Sequence, residues 1–414
     1  MKKTRMIAFI LIVLLTVSLF AGCTRDTAAD TDAGKAAENA SSDSDTQKDT
    51  LASLEFLTDW SENAETDAES NNGIIPTRDR PYVALETLND EEIVIPDGRT
   101  IKVGFCIQSQ TNVIFNIVIQ GMQAAADELG VEVQVASAND NVSTQVANIE
   151  NFVADGFDAI LIHAFDSEAF ADAAENALKE GIVVAAYDDI IRGTDGKQIG
   201  YNLQLCLNNE EAGSMVGNLA ADWLETTSFK DDEVIQFGVL NYPEWEFISV
   251  REHAAMDALS ERFPNVEYVA FEAALYPEDG VRIAENWMIA YPDMKGVIAI
   301  NDNALLGYYE AWTAAGKDEN DPEFGMFGMD CIVDGIDLLA QGTILRGDVG
   351  SLDYISGYNV VYELVKEVIK PNTGVNVVQA LTANDSTTVW DWVNGPMIFY
   401  AGSLKDSENN PANQ

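Results

Sequence analysis

Short β-branched runs alternate with longer stretches in which apolar residues recur every three or four positions, from Ile101 almost to the end of the chain. The short runs cover 101–107, 131–136, 159–163, 182–186, 234–240, 266–271, 297–300, 324–327 and 344–349. Their near-continuous apolarity suits strands buried on both faces of a parallel sheet. Between them the pattern predicts helices. In 115–129, for example, Ile117, Val118, Gly121, Met122, Ala125 and Leu129 form one apolar stripe. Gly130, Gly156, Gly181 and Gly316 stand where a left-handed residue would end a helix and feed the next strand. Repeated βα units in this order predict an α/β fold with doubly wound parallel sheets.

About 300 residues of this pattern exceed what one hydrophobic core usually holds, so two lobes are expected. Polar residues interrupt the rhythm between Asn202 and Glu210. A crossing between lobes is placed there, and a return crossing near Ser351.

The beginning of the chain follows other rules. Lys2, Lys3 and Arg5 precede an apolar run from Ile7 to Phe20, which has the flanks and length of an export signal rather than of a membrane span. The run ends in Leu19-Phe20-Ala21-Gly22-Cys23, which resembles the lipobox of bacterial lipoproteins. That resemblance implies lipidation of Cys23, cleavage before it, and a mature protein held by acyl chains on the outer face of a membrane in the cell envelope. Residues 24–50 are rich in Ala, Asp, Ser and Thr without apolar periodicity and read as a flexible stalk. Residues 51–98 contain a short apolar stretch and then irregular chain marked by Pro76, Pro81 and Pro96, with no role legible in them.

Composition narrows the partners. The 414 residues carry a net charge of −46, a field that repels nucleic acid and anionic lipid. Hydrophobic residues make up 47% of the chain, enough for two real cores. After Cys23, the cysteines Cys106, Cys206 and Cys331 lie in apolar segments without CxxC spacing, so buried thiols are expected rather than a disulfide framework or metal site.

In open α/β sheets ligands bind beyond the carboxyl ends of the strands. Gln108, Ser109, Asn112 and Phe115 follow the first run; Tyr187, Asp188 and Asp189 the fourth; Asn241, Trp245 and Arg251 the fifth. Tyr276, Asn301 with Asp302, Asp330 and Ser351 follow later runs. Carboxylates, amides and a guanidinium pair with vicinal hydroxyls, and aromatic faces cover the C–H faces of a sugar ring. Helix capping is the competing role for any one of them, Asp302 or Asn303 above all. So many polar and aromatic residues at strand ends favour a cleft for a small polyol.

These segments resemble the type I periplasmic sugar-binding proteins, the ribose- and galactose-binding group of ABC importers. The resemblance covers residues 101 to about 393. It rests on Gln108-Ser-Gln-Thr-Asn112-Val-Ile-Phe115 with Gly121, Asp155-Gly-Phe-Asp-Ala-Ile-Leu-Ile162, Val183-Val-Ala-Ala-Tyr-Asp188, Asn208-Asn-Glu-Glu-Ala-Gly213, Arg251, Ala299-Ile-Asn301-Asp302 with Gly307, and Gly328-Met-Asp330. It implies two doubly wound Rossmann-like lobes joined by a multi-strand hinge. The lobes would comprise 99–208 with 352–380 and 209–351 with 381–395, flanked by an extension over 24–98 and a polar tail over 396–414. It also implies ligand contacts from Gln108, Asn112, Phe115, Asp188, Trp245, Arg251, Tyr276, Asn301, Asp330 and Ser351. Asp189 stands where ribose-type members carry arginine, and Ser351 replaces a longer amide, so a ligand other than ribose is expected.

The implied partners are a small sugar, a membrane permease with its ATPase, and the membrane through the lipid anchor. No nucleic acid, cofactor or metal is expected, and the protein would be a monomer. Asp188→Ala or Arg251→Ala should abolish binding with the fold intact. The acidic loop 318–321 reads as solvated chain, and the calcium loop of galactose-type members is not visible. An enzyme is the rival reading. The two histidines, His163 and His253, lack a recognisable nucleophile partner, and no GxGxxG, GxxxxGK[ST] or HExxH occurs. His163, ending an apolar strand, reads as a core residue. A receptor signalling to a kinase or chemoreceptor, and a furanone or nucleoside as ligand, stay open.

Overall fold

The computed structural model describes residues 77, 80–96, 98–390 and 412, without the side chains of 246 and 247. The export segment with Cys23, the stalk, and residues 391–411 and 413–414 lie outside the described residues.

Two sheets carry the architecture. The first contains β1 (Tyr82–Ala84), β2 (Lys102–Ile107), β3 (Glu132–Ser137), β4 (Ala159–His163), β5 (Val183–Tyr187), β6 (Leu203–Cys206) and β12 (Asn376–Val378) in the order β1-β12-β6-β5-β4-β2-β3. Every neighbouring pair in it is parallel. The second contains β7 (Ile235–Asn241), β8 (Val266–Ala273), β9 (Met294–Ala299), β10 (Gly325–Met329), β11 (Leu345–Ser351) and β13 (Leu381–Asn384) in the order β13-β11-β10-β9-β7-β8. It is parallel except for β13, which runs antiparallel to β11.

Helices cover both faces. In the first lobe they are α1 (Val113–Leu129), α2 (Val142–Ala154), α3 (Ala171–Lys179) and α9 (Asp353–Ile369); in the second, α4 (Asn209–Thr226), α5 (Glu246–Arg262), α6 (Pro277–Ala290), α7 (Asp302–Ala314) and α8 (Val333–Ala340). Val103 and Phe105 face Met122, Tyr358 and Val361 of α1 and α9. The alternate residue Gly104 leaves room for Phe152 of α2 on the opposite face. This is the period-two alternation of a strand covered on both sides. Lobe two has the same plan. Phe237, Val216 and Leu259 fill one face, and Val297, Ile283, Trp287 and Tyr308 the other.

The chain passes between the sheets three times, between β6 and α4, between β11 and α9, and between β12 and β13. In each sheet one strand sends the chain to one side and then the other, β2 to β3 and β4, β7 to β8 and β9. Both topological switch points therefore open at carboxyl strand ends, where such folds hold ligands.

The structure departs from the sequence pattern at two places. The polar interruption at 202–210 contains β6, whose flanking Asn202 and inner Gln204 are buried and hydrogen-bonded. The irregular stretch before residue 98 contributes β1 to the sheet edge. Cys106, Cys206 and Cys331 are free thiols, the first and last fully buried.

Candidate ligand cleft

The backbone marks the site. Among the described residues, six non-glycine residues have positive φ, and five of them (Asn139, Asp140, Asp188, Asp330 and Cys331) lie within three residues of the carboxyl ends of β3, β5 and β10. Such conformations persist only where surrounding contacts hold them, and they concentrate at functional sites.

Asp188 (φ 65°) follows β5. Its N–H donates to Leu205 O at 3.0 Å, and its carbonyl accepts from Gln204 Nε2 at 3.1 Å. Its Oδ2 lies 3.1 Å from His163 Nε2. Asp330 (φ 116°) follows β10, and its carboxylate rests on the N–H of Asp302 at the start of α7, the positive end of the helix dipole. Arg251 Nη1 lies 3.8 Å from Asp330 Oδ1. Arg251 itself is fixed by Nε donating to Asn209 Oδ1 at 2.6 Å and Nη1 donating to Ile300 O at 3.0 Å. It reaches that position because α4 and α5 pack closely. A Cβ on Gly213 would lie 2.1 Å from the Arg251 carbonyl oxygen.

The hinge contributes a third group. Ser351 Oγ donates to Asp353 Oδ2 at 2.8 Å, and Gln379 Nε2 donates to Asp353 Oδ1. Asp188 of lobe one, Asp330 of lobe two and Asp353 of the hinge lie in one another's electrostatic field. Burial, reinforced by Asp188, pushes Asp330 up to about 6 although Arg251 pulls the other way. Burial and the charges of Asp330 and Asp188 push Asp353 up to about 8, against the hydrogen bonds from Ser351 and Gln379. A carboxyl that carries a proton donates as well as accepts, which suits hydroxyl partners. Across the mouth, Tyr276 of lobe two lies in the field of Asp140 of lobe one.

Asp188, Arg251, Asp330 and Ser351 are thus brought together. Other sequence-expected residues sit at the same strand ends with their groups already engaged. Asn112 caps α1, accepting from Ile114 N at 3.0 Å. Asn301 caps α7 through Ala304 N at 3.0 Å and donates Nδ2 to Leu275 O at 3.2 Å, so it, and not Asp302 or Asn303, performs the capping. Asp189 Oδ1 accepts from Ile190 N at 2.7 Å and lies 3.7 Å from Arg192 Nη2. Phe115 is only 3% exposed, and its ring meets His163 edge-on at 4.7 Å and Tyr187 at 6.0 Å. Gln108 is half-buried, its carbonyl accepting from Asp140 N at 3.0 Å. Trp245 begins α5 with its ring edge-on to Tyr242, and Tyr276 begins α6, 46% exposed.

Sequence reasoning did not single out Asp353, Gln379, Gln204 or Asn209. It placed His163 in the core, where it lies, without its contact to Asp188. His163 stands at a strand end as the other candidates do, and the sequence reading gave that position a packing role. In the acidic loop, Asp318 and Asp321 accept from Asn320 N and Glu323 N at 2.9 Å each, as exposed turns. Among the described residues no group of three or more His, Cys, Asp or Glu is placed to hold a metal.

The sequence pattern of the periplasmic binding protein domain spans residues 103–387. The chain belongs to the type I periplasmic binding proteins. It is 25% identical over 267 residues to the ABC transporter periplasmic-binding protein YphF of Escherichia coli K12, an alignment covering 63% of this chain and 78% of that one. It is 25% identical over 270 residues to the xylitol-binding protein of Mycolicibacterium smegmatis, covering 64% and 73%. The periplasmic solute binding protein of an Actinobacillus succinogenes ABC transporter, solved with bound D-allose, superposes with a TM-score of 0.64 at 21% identity, covering 70% of this chain and all of that one. The relatives are solute-binding proteins of an extracytoplasmic family, and the two-lobed architecture is theirs.

Proposed function

We propose that the protein is a substrate-binding lipoprotein that captures a small sugar or sugar-like polyol between its lobes and delivers it to the permease of an ABC importer. The observation that carries this reading is the convergence of Asp188, Arg251 with Asp330, and Ser351 with Asp353 from one lobe, the other and the hinge. Relatives named for xylitol binding and solved with D-allose support a polyol. Gln108, Asn112, Phe115, Asp189, Trp245, Tyr276 and Asn301 complete the proposed lining. Ligand would bridge the lobes, so binding shifts the population from open to closed and presents a closed face to the permease. Cys23 would carry the acyl anchor; Cys23→Ser should release the protein from the membrane fraction.

A thermal-shift panel of aldoses, ketoses, polyols and nucleosides tests the reading. A ligand at one hundred times its dissociation constant stabilises a single-site protein by about 2.7 kcal/mol, a visible shift. No response from any sugar or polyol would refute it.

A further inference from the structure

Strand β1 and the residues before it lie outside the family's domain, which begins at residue 103. They are nevertheless tied to the interior of lobe one. Arg80 donates Nη1 to Glu367 Oε2 at 2.7 Å and Nη2 to Glu367 Oε1 at 2.8 Å, with both side chains almost wholly buried. β1 pairs in parallel with β12, Tyr82 opposite Asn376. Asn376 is the junction. Its Nδ2 donates to Thr77 O at 2.7 Å, while its Oδ1 accepts from Thr77 Oγ1 at 2.6 Å and from Gln204 N at 2.9 Å.

At its other end, the buried Gln204 side chain meets the backbone of Asp188. Its Oε1 accepts from Tyr201 OH at 3.1 Å and from Tyr82 OH at 3.5 Å, and its Nε2 donates to the carbonyl of Asp188 at 3.1 Å. The next residue on β6, Leu205, accepts the Asp188 N–H. Both backbone groups of a residue held at φ 65° are therefore fixed by one short strand, and that strand is hydrogen-bonded to the N-terminal segment through Asn376. A left-handed aspartate is held only as firmly as its neighbours hold it.

We propose that the segment carrying Thr77, Arg80 and β1 is a positioning element for the ligand site, acting through Asn376 and Gln204 on the backbone of Asp188. It rests on the reading of Asp188 as a ligand contact for its purpose, although not for its mechanics. The segment also buttresses β6 and β12, which lead directly into two of the three lobe crossings. The protein would then carry, beyond its family's domain, a strap that sets the stiffness of its own binding loop.

The test is hydrogen exchange by mass spectrometry on the full chain and on Thr77→Val, Tyr82→Phe and Gln204→Met, each a near-isosteric loss of hydrogen bonding. Peptides over 186–190 should exchange about tenfold faster in Thr77→Val and in Gln204→Met, with β7 and β9 in lobe two and β2 in lobe one unchanged. Thr77→Val should add less in the Gln204→Met background than it does alone, because the two effects share β6 on their way to Asp188. Equal acceleration across all of lobe one, acceleration confined to β1 and β12, or additive effects would overturn the proposal. Tyr82→Phe, the mildest change, keeps the test open if another variant does not fold. A parallel titration with D-allose and xylitol should show several-fold weaker binding in the same variants. If neither binds the wild-type protein, the polyol reading is in question while the exchange result still decides the strap.

Discussion

His163 Nε2 lies 3.1 Å from Asp188 Oδ2, so the residue that ends β4 orients the carboxylate that follows β5. The imidazole is buried, and its Nδ1 has no hydrogen-bond partner among the described residues. Its packing partner Phe115 locks the ring edge-on. His163→Phe would preserve much of that aromatic packing and remove the bond to Asp188. A hydrogen bond to a charged group contributes about 1.5–3 kcal/mol, so the affinity for the sugar found by the panel should fall by about tenfold or more. Calorimetric titration measures this directly; unchanged affinity would mean that Asp188 does not depend on His163.

Arg251 shows why a proposed ligand contact cannot always be removed with the fold intact. Its guanidinium donates to Asn209 Oδ1 and Ile300 O besides approaching Asp330. Arg251→Ala would leave these acceptors without the donor they were folded around, at a cost of about 1–3 kcal/mol each when buried. The expected outcome is loss of binding together with a fall in Tm of several degrees. Asp188→Ala, whose carboxylate meets His163 at 3.1 Å, should lose binding with a much smaller change in Tm. Differential scanning fluorimetry of both variants separates the two costs.

A buried acid pair beneath the cleft predicts how stability depends on pH. Among the described residues, Asp302 Oδ1 and both oxygens of Asp348 have no hydrogen-bond partner in good geometry, while Asp302 Oδ2 accepts from Ile332 N at 2.9 Å. A Cβ on Gly335 would lie 2.8 Å from Asp302 Oδ2 and 3.3 Å from Asp348 Oδ2, so the two carboxyls meet over that glycine. Burial, then Asp348 and Asp330, raises Asp302 well above the usual range, and burial pushes Asp348 up to about 7. A carboxyl whose folded pKa is raised contributes stability below its unfolded value near 4, and that stability is lost as pH rises toward and through 7. Asp348→Asn removes one of the two buried acids and places an amide donor beside Asp302. It should stabilise the protein at pH 8 by on the order of 2 kcal/mol and make the fall in Tm from pH 5 to pH 8 shallower. Parallel slopes for variant and wild type would show that the pair is not titrating.

Strand β4 was legible residue for residue, because an apolar run of four closed by His163 after a turn signal has few other uses in an α/β chain. β6 was not. Asn202 and Gln204 look like loop residues until their partners appear: Asn202 Oδ1 accepts from Val184 N at 2.9 Å, and Asn376 lies 172 positions from Gln204. Polar residues inside a sheet are paid for by partners that local sequence does not reveal. The site was legible to the same depth. Strand ends point to candidate residues, since parallel sheets put them all at one edge. Which candidates share a field, and that Asp353 and His163 join them, depends on three chain crossings and the packing of α4 on α5.

The Arg80–Glu367 pair gives a prediction about how firmly the N-terminal segment is held. Glu367 accepts from both Arg80 nitrogens, from Asn202 Nδ2, and from the N–H groups of Asn372, Thr373 and Gly374. Burial alone would raise its carboxyl, yet these donors hold it below its ordinary value. Removing one partner of a buried, hydrogen-bonded pair leaves the other charged and stranded, typically at about 3–5 kcal/mol. Arg80→Met should therefore lower the urea midpoint strongly. Arg80→Met with Glu367→Gln should recover part of the loss, since no buried charge is then unpaired. A depressed carboxyl contributes stability above its unfolded value near 4 that is lost as pH falls through the folded one. The wild-type advantage over Arg80→Met should accordingly shrink in melts taken below pH 4, and an advantage independent of pH would assign the loss to packing rather than to charge.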